Sequence, residues 1–148
     1  MHPFDERILR PFTCSSVGMV HQHHQHMAMA IGIQHIASDG TDAIERISAE
    51  HLGQLLLRAY SSPVMPEMMA SLPILSLDGT IRQRLKDSQS NGRAHLKTGS
   101  LNGVSAIAGY VLDANGHRHV LVMLVNHVNA AASKAAQDAL IEWVHQQP

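Results

Sequence analysis

Between residues 94 and 126 the chain alternates apolar runs with Asn-Gly pairs, and no other feature constrains its fold as strongly. Residues 94–100 form a short extended run, followed by Asn102-Gly103. Residues 105–112 come next, then Asn115-Gly116, then residues 118–126, rich in Val and Leu. An Asn-Gly pair between apolar runs is a strong hairpin signal, because both residues tolerate backbone conformations that bulkier side chains resist. The pattern predicts three antiparallel strands linked by hairpins. Ala106, Ala108 and Gly109 in the middle run are small enough to let another backbone come close. Asn129 then caps a helix extending to about residue 145, with Ala132, Ala136, Leu140 and Trp143 along one face. Three strands covered by a helix make an α/β layer, nearer to half a domain than to a whole one.

The segment ahead of this layer carries its own boundary signals. A helix is predicted over residues 49–60, with Ser48 as N-cap, Glu50 in the first turn and Ile47 and Leu52 placed as a hydrophobic staple. Leu52, Leu55, Leu56 and Ala59 form its apolar stripe, and Ser61-Ser62-Pro63 ends it. A shorter helix starts near Pro66 and stops before Pro73, with Met65, Met68 and Met69 read as core filling. After the Asp78-Gly79 turn, Thr80 and Gln83 have capping-box spacing for a short helical turn through Leu85. Residues 86–93 read as an exposed polar loop. Residues 1–43 differ: they show no sustained period, contain the cluster His21, His23, His24 and His26, and divide from residues 44–148 in character. Within them, the run at 27–33 suits a buried strand or helix segment.

Composition narrows the function classes. The formal charge of −1 lacks the basic excess that phosphate neutralisation requires, so a nucleic-acid partner is not expected. No apolar run reaches the roughly 18–20 residues of a membrane span, and the N-terminus has none of the regions of a secretory signal. As encoded, the chain would therefore stay in the cytoplasm. The single cysteine, Cys14, excludes an internal disulfide and a Cys-based zinc site, and reads as an incidental thiol. Aromatic residues are only 3%, so the core must rest on aliphatic side chains and Met. Charged residues, at 16% against roughly 25% in typical domains, leave a neutral surface on which strand edges can self-associate.

The string with most chemical content is His95-Leu96-Lys97-Thr98-Gly99-Ser100, on the first predicted strand. A strand edge there can pair with an extended peptide. Lys97 supplies a positive charge, Thr98 a hydroxyl for a carboxylate, and Gly99 clearance for close approach. The Ser100 amide is a donor suited to a developing oxyanion. Lys-Thr-Gly in such a setting is used by serine acyl-transferases of the penicillin-binding class. Further blocks agree in order: Ile47-Ser48-Ala49-Glu50-His51-Leu52, Ser62-Pro63-Val64-Met65-Pro66-Glu67, Leu77-Asp78-Gly79-Thr80, Ala108-Gly109-Tyr110-Val111 and Val125-Asn126-His127. Together they resemble the C-terminal part of the D-alanyl-D-alanine carboxypeptidase/endopeptidase family, the class C low-molecular-mass penicillin-binding proteins.

The resemblance implies part of a penicillin-binding-protein/β-lactamase-like transpeptidase fold, in which the Lys97 strand and two hairpin-linked strands lie under the C-terminal helix. It further implies a periplasmic serine peptidase that cleaves peptidoglycan stem peptides through an acyl-enzyme and binds β-lactams. No metal and no cofactor are implied. Lys97 becomes the catalytic residue that carries over, with Thr98, Gly99 and Ser100 binding substrate. The family also needs Ser-x-x-Lys and Ser-x-Asn. No serine here is followed three residues later by lysine. Of the Ser-x-Asn candidates, Ser38-Asp39-Gly40 has glycine in place of Asn, and Ser88-Gln89-Ser90-Asn91 is one residue too long. The expectation is a C-terminal portion without its nucleophile, inactive alone. The alternatives are a non-enzymatic remnant and a metal-binding or interaction module built on the His-rich segment.

Overall fold

The computed structural model describes residues 17–22, 26–33 and 47–147. Five strands, β1 (Val17–Gln22), β2 (His26–Ile33), β3 (Ala94–Leu101), β4 (Val104–Leu112) and β5 (Arg118–Asn126), form one sheet in the order β1-β2-β5-β4-β3. Three helices, α1 (Ala49–Tyr60), α2 (Met65–Ser71) and α3 (Lys134–His145), cover it. The three predicted antiparallel strands and the C-terminal helix are all present, with β5 over the predicted residues. β1 and β2 lie in the N-terminal part where no period was visible. β2 runs parallel to β5, from Ala28 opposite Val120 to Ile33 opposite Val125, and β1 is antiparallel to β2. Such pairing depends on a partner edge some 90 residues away rather than on a local turn.

The two Asn-Gly pairs behave differently. Asn102-Gly103 makes a two-residue turn joining Leu101 to Val104, with Gly103 in the left-handed region at φ 69°. The β4–β5 connection is longer, spanning residues 113–117, and is organised by a buried carboxylate. Asp113 Oδ1 accepts from the amides of Asn115 (2.9 Å) and His117 (2.8 Å), and Oδ2 accepts from His119 Nε2 at 2.9 Å. Burial raises the Asp113 pKa, but the hydrogen bonds from the His119 ring and from the amide and ring of His117 outweigh it and hold the carboxyl below its usual range.

Strand alternation divides the sheet into two faces. On one, Leu96, Ile107, Leu121 and Met123 pack with Leu140, Ile141 and Val144 of α3 in a fully or nearly dry cluster. On the other, Tyr110, Val120 and Val122 pack with Ala49 and Leu56 of α1, and Met65, Met68 and Met69 fill the margin as expected. The Tyr110 hydroxyl donates to the Leu56 carbonyl at 2.8 Å, so the phenol enters the core without losing its polar partner. Burying each such large side chain stabilises the fold by about 1.5–3 kcal/mol.

α1 occupies the predicted residues, and the Ser48 hydroxyl accepts the His51 amide at 3.1 Å. Its buried stripe, however, is Ala49, Gly53 and Leu56, while Leu55 is 55% exposed. The buried face is thus rotated from the predicted Leu52, Leu55, Leu56 and Ala59 stripe, with Leu56 common to both. At the other end, Asn129 makes no side-chain cap. A 3-10 turn at Ala130–Ser133 precedes α3, and the buried face passes through Ala136, Leu140, Ile141 and Val144, leaving Ala132 exposed. The predicted capping box at Thr80 is likewise absent: the 3-10 turn Gly79–Ile81 has no side-chain cap, and the Thr80 hydroxyl is engaged elsewhere.

Candidate functional site

β3 is one of the two edge strands of the described sheet, and its two halves have different surroundings. The first half is pinned. Leu75 N donates to Ala94 O and Leu96 N to Pro73 O, both at 2.9 Å, so residues 73–75 lie along the outer edge. His95 Nδ1 donates to the Met69 carbonyl at 3.1 Å, tying the strand to α2. Gly109, opposite Leu96, has φ 148°, and a side chain there would overlap the His95 carbonyl. The close approach expected from the small residues of β4 therefore rests on this glycine.

Among the described residues, no backbone segment pairs with the outer edge of the second half. Since Ala94 and Leu96 turn their backbone groups to the outer edge, Thr98 and Ser100 do the same by strand alternation. The remaining residues, Lys97 and Gly99, hydrogen-bond inward to Ala108 and Ala106. Lys97, Gly99 and Ser100 are exposed and Thr98 is half-buried. Lys97 Nζ bends along the strand and donates to the Thr98 carbonyl at 2.6 Å. Gly99 is not demanded by packing within the chain. A Cβ there would stand 3.5 Å from that of Ala106, an ordinary contact, and its φ lies outside the left-handed region.

The four residues singled out in the sequence thus occupy consecutive positions on an exposed edge, with two side-chain directions. Lys97 and Gly99 share the face that carries Tyr110, whereas Thr98 and Ser100 share the face under α3. Such an edge presents backbone donors and acceptors to an extended peptide and places a cation and a hydroxyl beside it. Among the described residues, the recorded hydrogen bond of Lys97 Nζ goes to Thr98 O and no serine hydroxyl pairs with it. Ser105, across from Ser100, is buried and receives Gln137 Nε2 at 3.0 Å.

One reading of the sequence needs correction. The triplet Ser-x-Asn does occur, as Ser100-Leu101-Asn102. It is the continuation of the Lys97 strand into the hairpin turn, so it cannot stand across a cleft from Lys97. The residue that sequence reasoning missed is Thr80. Its hydroxyl lies 2.6 Å from that of Thr98, although capping-box spacing had assigned it to a helix start. His23 and His24 of the histidine cluster lie outside the described residues, as do the side chains of His21 and His26. Among the described residues no group of three or more His, Cys, Asp or Glu is placed to hold a metal, and no helix is long and apolar enough to cross a membrane.

A sequence model of the D-Ala-D-Ala carboxypeptidase 3 (S13) family matches residues 26–147, a span that includes β2, all three helices and the whole Lys97 strand. The chain belongs to the D-Ala-D-Ala carboxypeptidase (S13) family. Its match begins upstream of the division drawn at residue 44. Among curated relatives, the D-alanyl-D-alanine carboxypeptidase of Actinomadura sp. (strain R39) is 31% identical over 99 residues, covering 64% of this chain and 18% of the relative. Carboxypeptidase DacB of Mycolicibacterium smegmatis is 31% identical over 116 residues, 74% of this chain and 25% of the relative. This S13 chain therefore spans a quarter or less of the length of these two relatives. The crystal structure of penicillin binding protein 4 from Haemophilus influenzae is similar over 60% of this chain and 23% of its own, with a TM-score of 0.49 and 23% identity.

Proposed function

We propose that this chain supplies the Lys-Thr-Gly wall of a serine-type D-alanyl-D-alanine carboxypeptidase site that acts on peptidoglycan stem peptides through an acyl-enzyme. The observation that carries the reading is the open half of β3, where Lys97, Thr98, Gly99 and Ser100 lie on a strand edge left unpaired among the described residues, in a chain of the S13 family. In this reading the stem peptide lies along the edge as an added strand. Lys97 stabilises negative charge and takes part in proton handling, and the Thr98 hydroxyl receives the terminal carboxylate. Gly99 leaves room for the substrate backbone, consistent with the absence of any internal demand for glycine there. The Ser100 amide, turned outward, donates to the oxyanion.

The peptidase-like part includes residues 44–148 and extends upstream to β2, and the setting is the periplasm, where peptidoglycan is built. The chain alone is inactive, because a nucleophile of the Ser-x-x-Lys type is absent from its sequence. β-Lactams bind reversibly as mimics of the peptide terminus, without metal or cofactor. The same open edge also favours self-association through strand pairing.

Two measurements on the 148-residue chain test this proposal. Incubation with a labelled penicillin followed by intact-mass measurement is expected to give no covalent adduct; an adduct would overturn the assignment of inactivity. Titration with an acetylated tripeptide ending in D-Ala-D-Ala is expected to shift the amide resonances of Thr98, Gly99 and Ser100. If those resonances stay in place, the substrate assignment fails.

A further inference from the structure

The block Leu77-Asp78-Gly79-Thr80 has no catalytic group in the reading above, yet its geometry is unusually determined. The Asp78 carboxylate accepts the Ile74 amide, and Asp78 N donates to Ile74 O at 3.1 Å, closing a loop against the outer edge of β3. Gly79 stands at φ 57°, and a Cβ there would come within 2.8 Å of the Pro73 ring. Pro73 in turn accepts the Leu96 amide, one residue ahead of Lys97. Behind the block, Ile81 is completely buried. Arg84 is fixed to α3 by Nε to Asp138 at 2.7 Å, by Nη1 to Gln137 at 3.1 Å and by Nη2 to the Lys134 carbonyl at 3.2 Å. Four features thus hold a short segment at one height on the strand. The side chain they deliver to the open half is Thr80, whose Oγ1 lies 2.6 Å from Thr98 Oγ1.

We infer that Thr80 is a positioning residue that orients the Thr98 hydroxyl toward a substrate carboxylate. Each hydroxyl has one proton and accepts through two lone pairs. Two hydroxyls in contact therefore place one proton between them and leave one free. With Thr80 as donor, the free proton is that of Thr98 and points away from the pair toward the open edge. An anionic acceptor at Thr98 favours that arrangement, because the donated bond from Thr80 polarises the hydroxyl that donates onward. Thr80 thus selects for a terminal carboxylate over its amide without touching the substrate. The inference rests on the assignment of Thr98 as carboxylate partner.

The test uses the full chain, with Thr80→Val and Thr80→Ser as isosteric and conservative replacements at an exposed position whose neighbour Ile81 keeps its burial. Two readouts separate the inference from its premise. The first is the preference for an acetyl tripeptide ending in D-Ala-D-Ala over the same peptide with a C-terminal amide, from amide-shift titrations. The second, independent of ligand, is the Thr98 χ1 rotamer from three-bond couplings. The expected result is that Thr80→Val lowers the carboxylate preference about five-fold, the worth of an ordinary hydrogen bond, and averages the Thr98 rotamer. Thr80→Ser restores both. An undiminished preference and a single rotamer in Thr80→Val would overturn the inference alone. A wild-type chain that shows no preference for the carboxylate, even with its Thr98 rotamer dependent on Thr80, would instead overturn the functional assignment and this inference with it.

Discussion

The β3–β4 ladder is sealed at one end and open at the other, and two glycines show the difference. Gly109, opposite Leu96, is required by the fold: its backbone conformation suits only glycine, and the His95 carbonyl fills the space a side chain would take. Gly99, three residues after Leu96 on the neighbouring strand, meets nothing closer than an ordinary contact. The sealed end also holds Asp113 with its histidine donors, the Tyr110 hydroxyl bonded to Leu56 and the His145 Nδ1 bond to Leu112 O at 2.7 Å. At the open end, Lys97 Nζ bonds along its own strand, to the Thr98 carbonyl. Packing demands thus concentrate at one end of the ladder, and the proposed chemistry sits at the other. Among the described residues the open end makes few packing demands, which agrees with the peptide-binding role proposed for it.

The largest test of this contrast is Gly109→Ala. A Cβ against a backbone carbonyl cannot be relieved by a side-chain rotation, so the substitution is expected to lower unfolding free energy by about 3 kcal/mol or more in urea titrations. A loss below 1 kcal/mol, by the same order-of-magnitude scale, would show that the two strands can part there at little cost.

Asp113→Asn comes next, at about 1–3 kcal/mol, because it weakens charge-assisted acceptance from His119 and His117 in a buried setting. The pH dependence follows from the depressed Asp113 pKa. A carboxyl whose folded pKa lies below its unfolded value contributes stability in full above the unfolded value. That contribution is lost as pH falls through the ordinary carboxylate range to the lowered folded value. Thermal melts of the wild type are therefore expected to fall on that acid limb, and Asp113→Asn is expected to flatten it. An unchanged limb would assign acid sensitivity to other groups.

The smallest effect is expected at the open end. Gly99→Ala should change unfolding free energy by no more than about 0.5 kcal/mol, while weakening the peptide titration described above. A large loss of stability would erase the distinction between the two ends.

Much of the local structure was legible in the residues. Ser48 and the run after it define α1, and the Asn102-Gly103 pair defines the β3–β4 hairpin, because caps and two-residue turns involve neighbours only a few positions apart. The Lys97 strand was legible for the same reason. The second Asn-Gly pair marked the β4–β5 hairpin correctly, but the length of that turn is set by the buried Asp113, which reaches His119 and is not visible in the dipeptide itself. The face of α1 was displaced because its orientation is set by the sheet it packs on, so that Ala49, Gly53 and Leu56 are buried while Leu55 is exposed.

By itself, then, the amino-acid order determined the β3–β4 hairpin, the start of α1 and the run Lys97-Thr98-Gly99-Ser100, all governed by short-range sterics and hydrogen bonding. Only the tertiary structure decided that β2 joins β5, that half of β3 is covered by residues 73–75 while half is bare, and that Thr80 turns from a helix cap to the Thr98 hydroxyl. Each of these depends on which distant segment reaches a backbone edge first in space, and no local pattern of side chains encodes that competition.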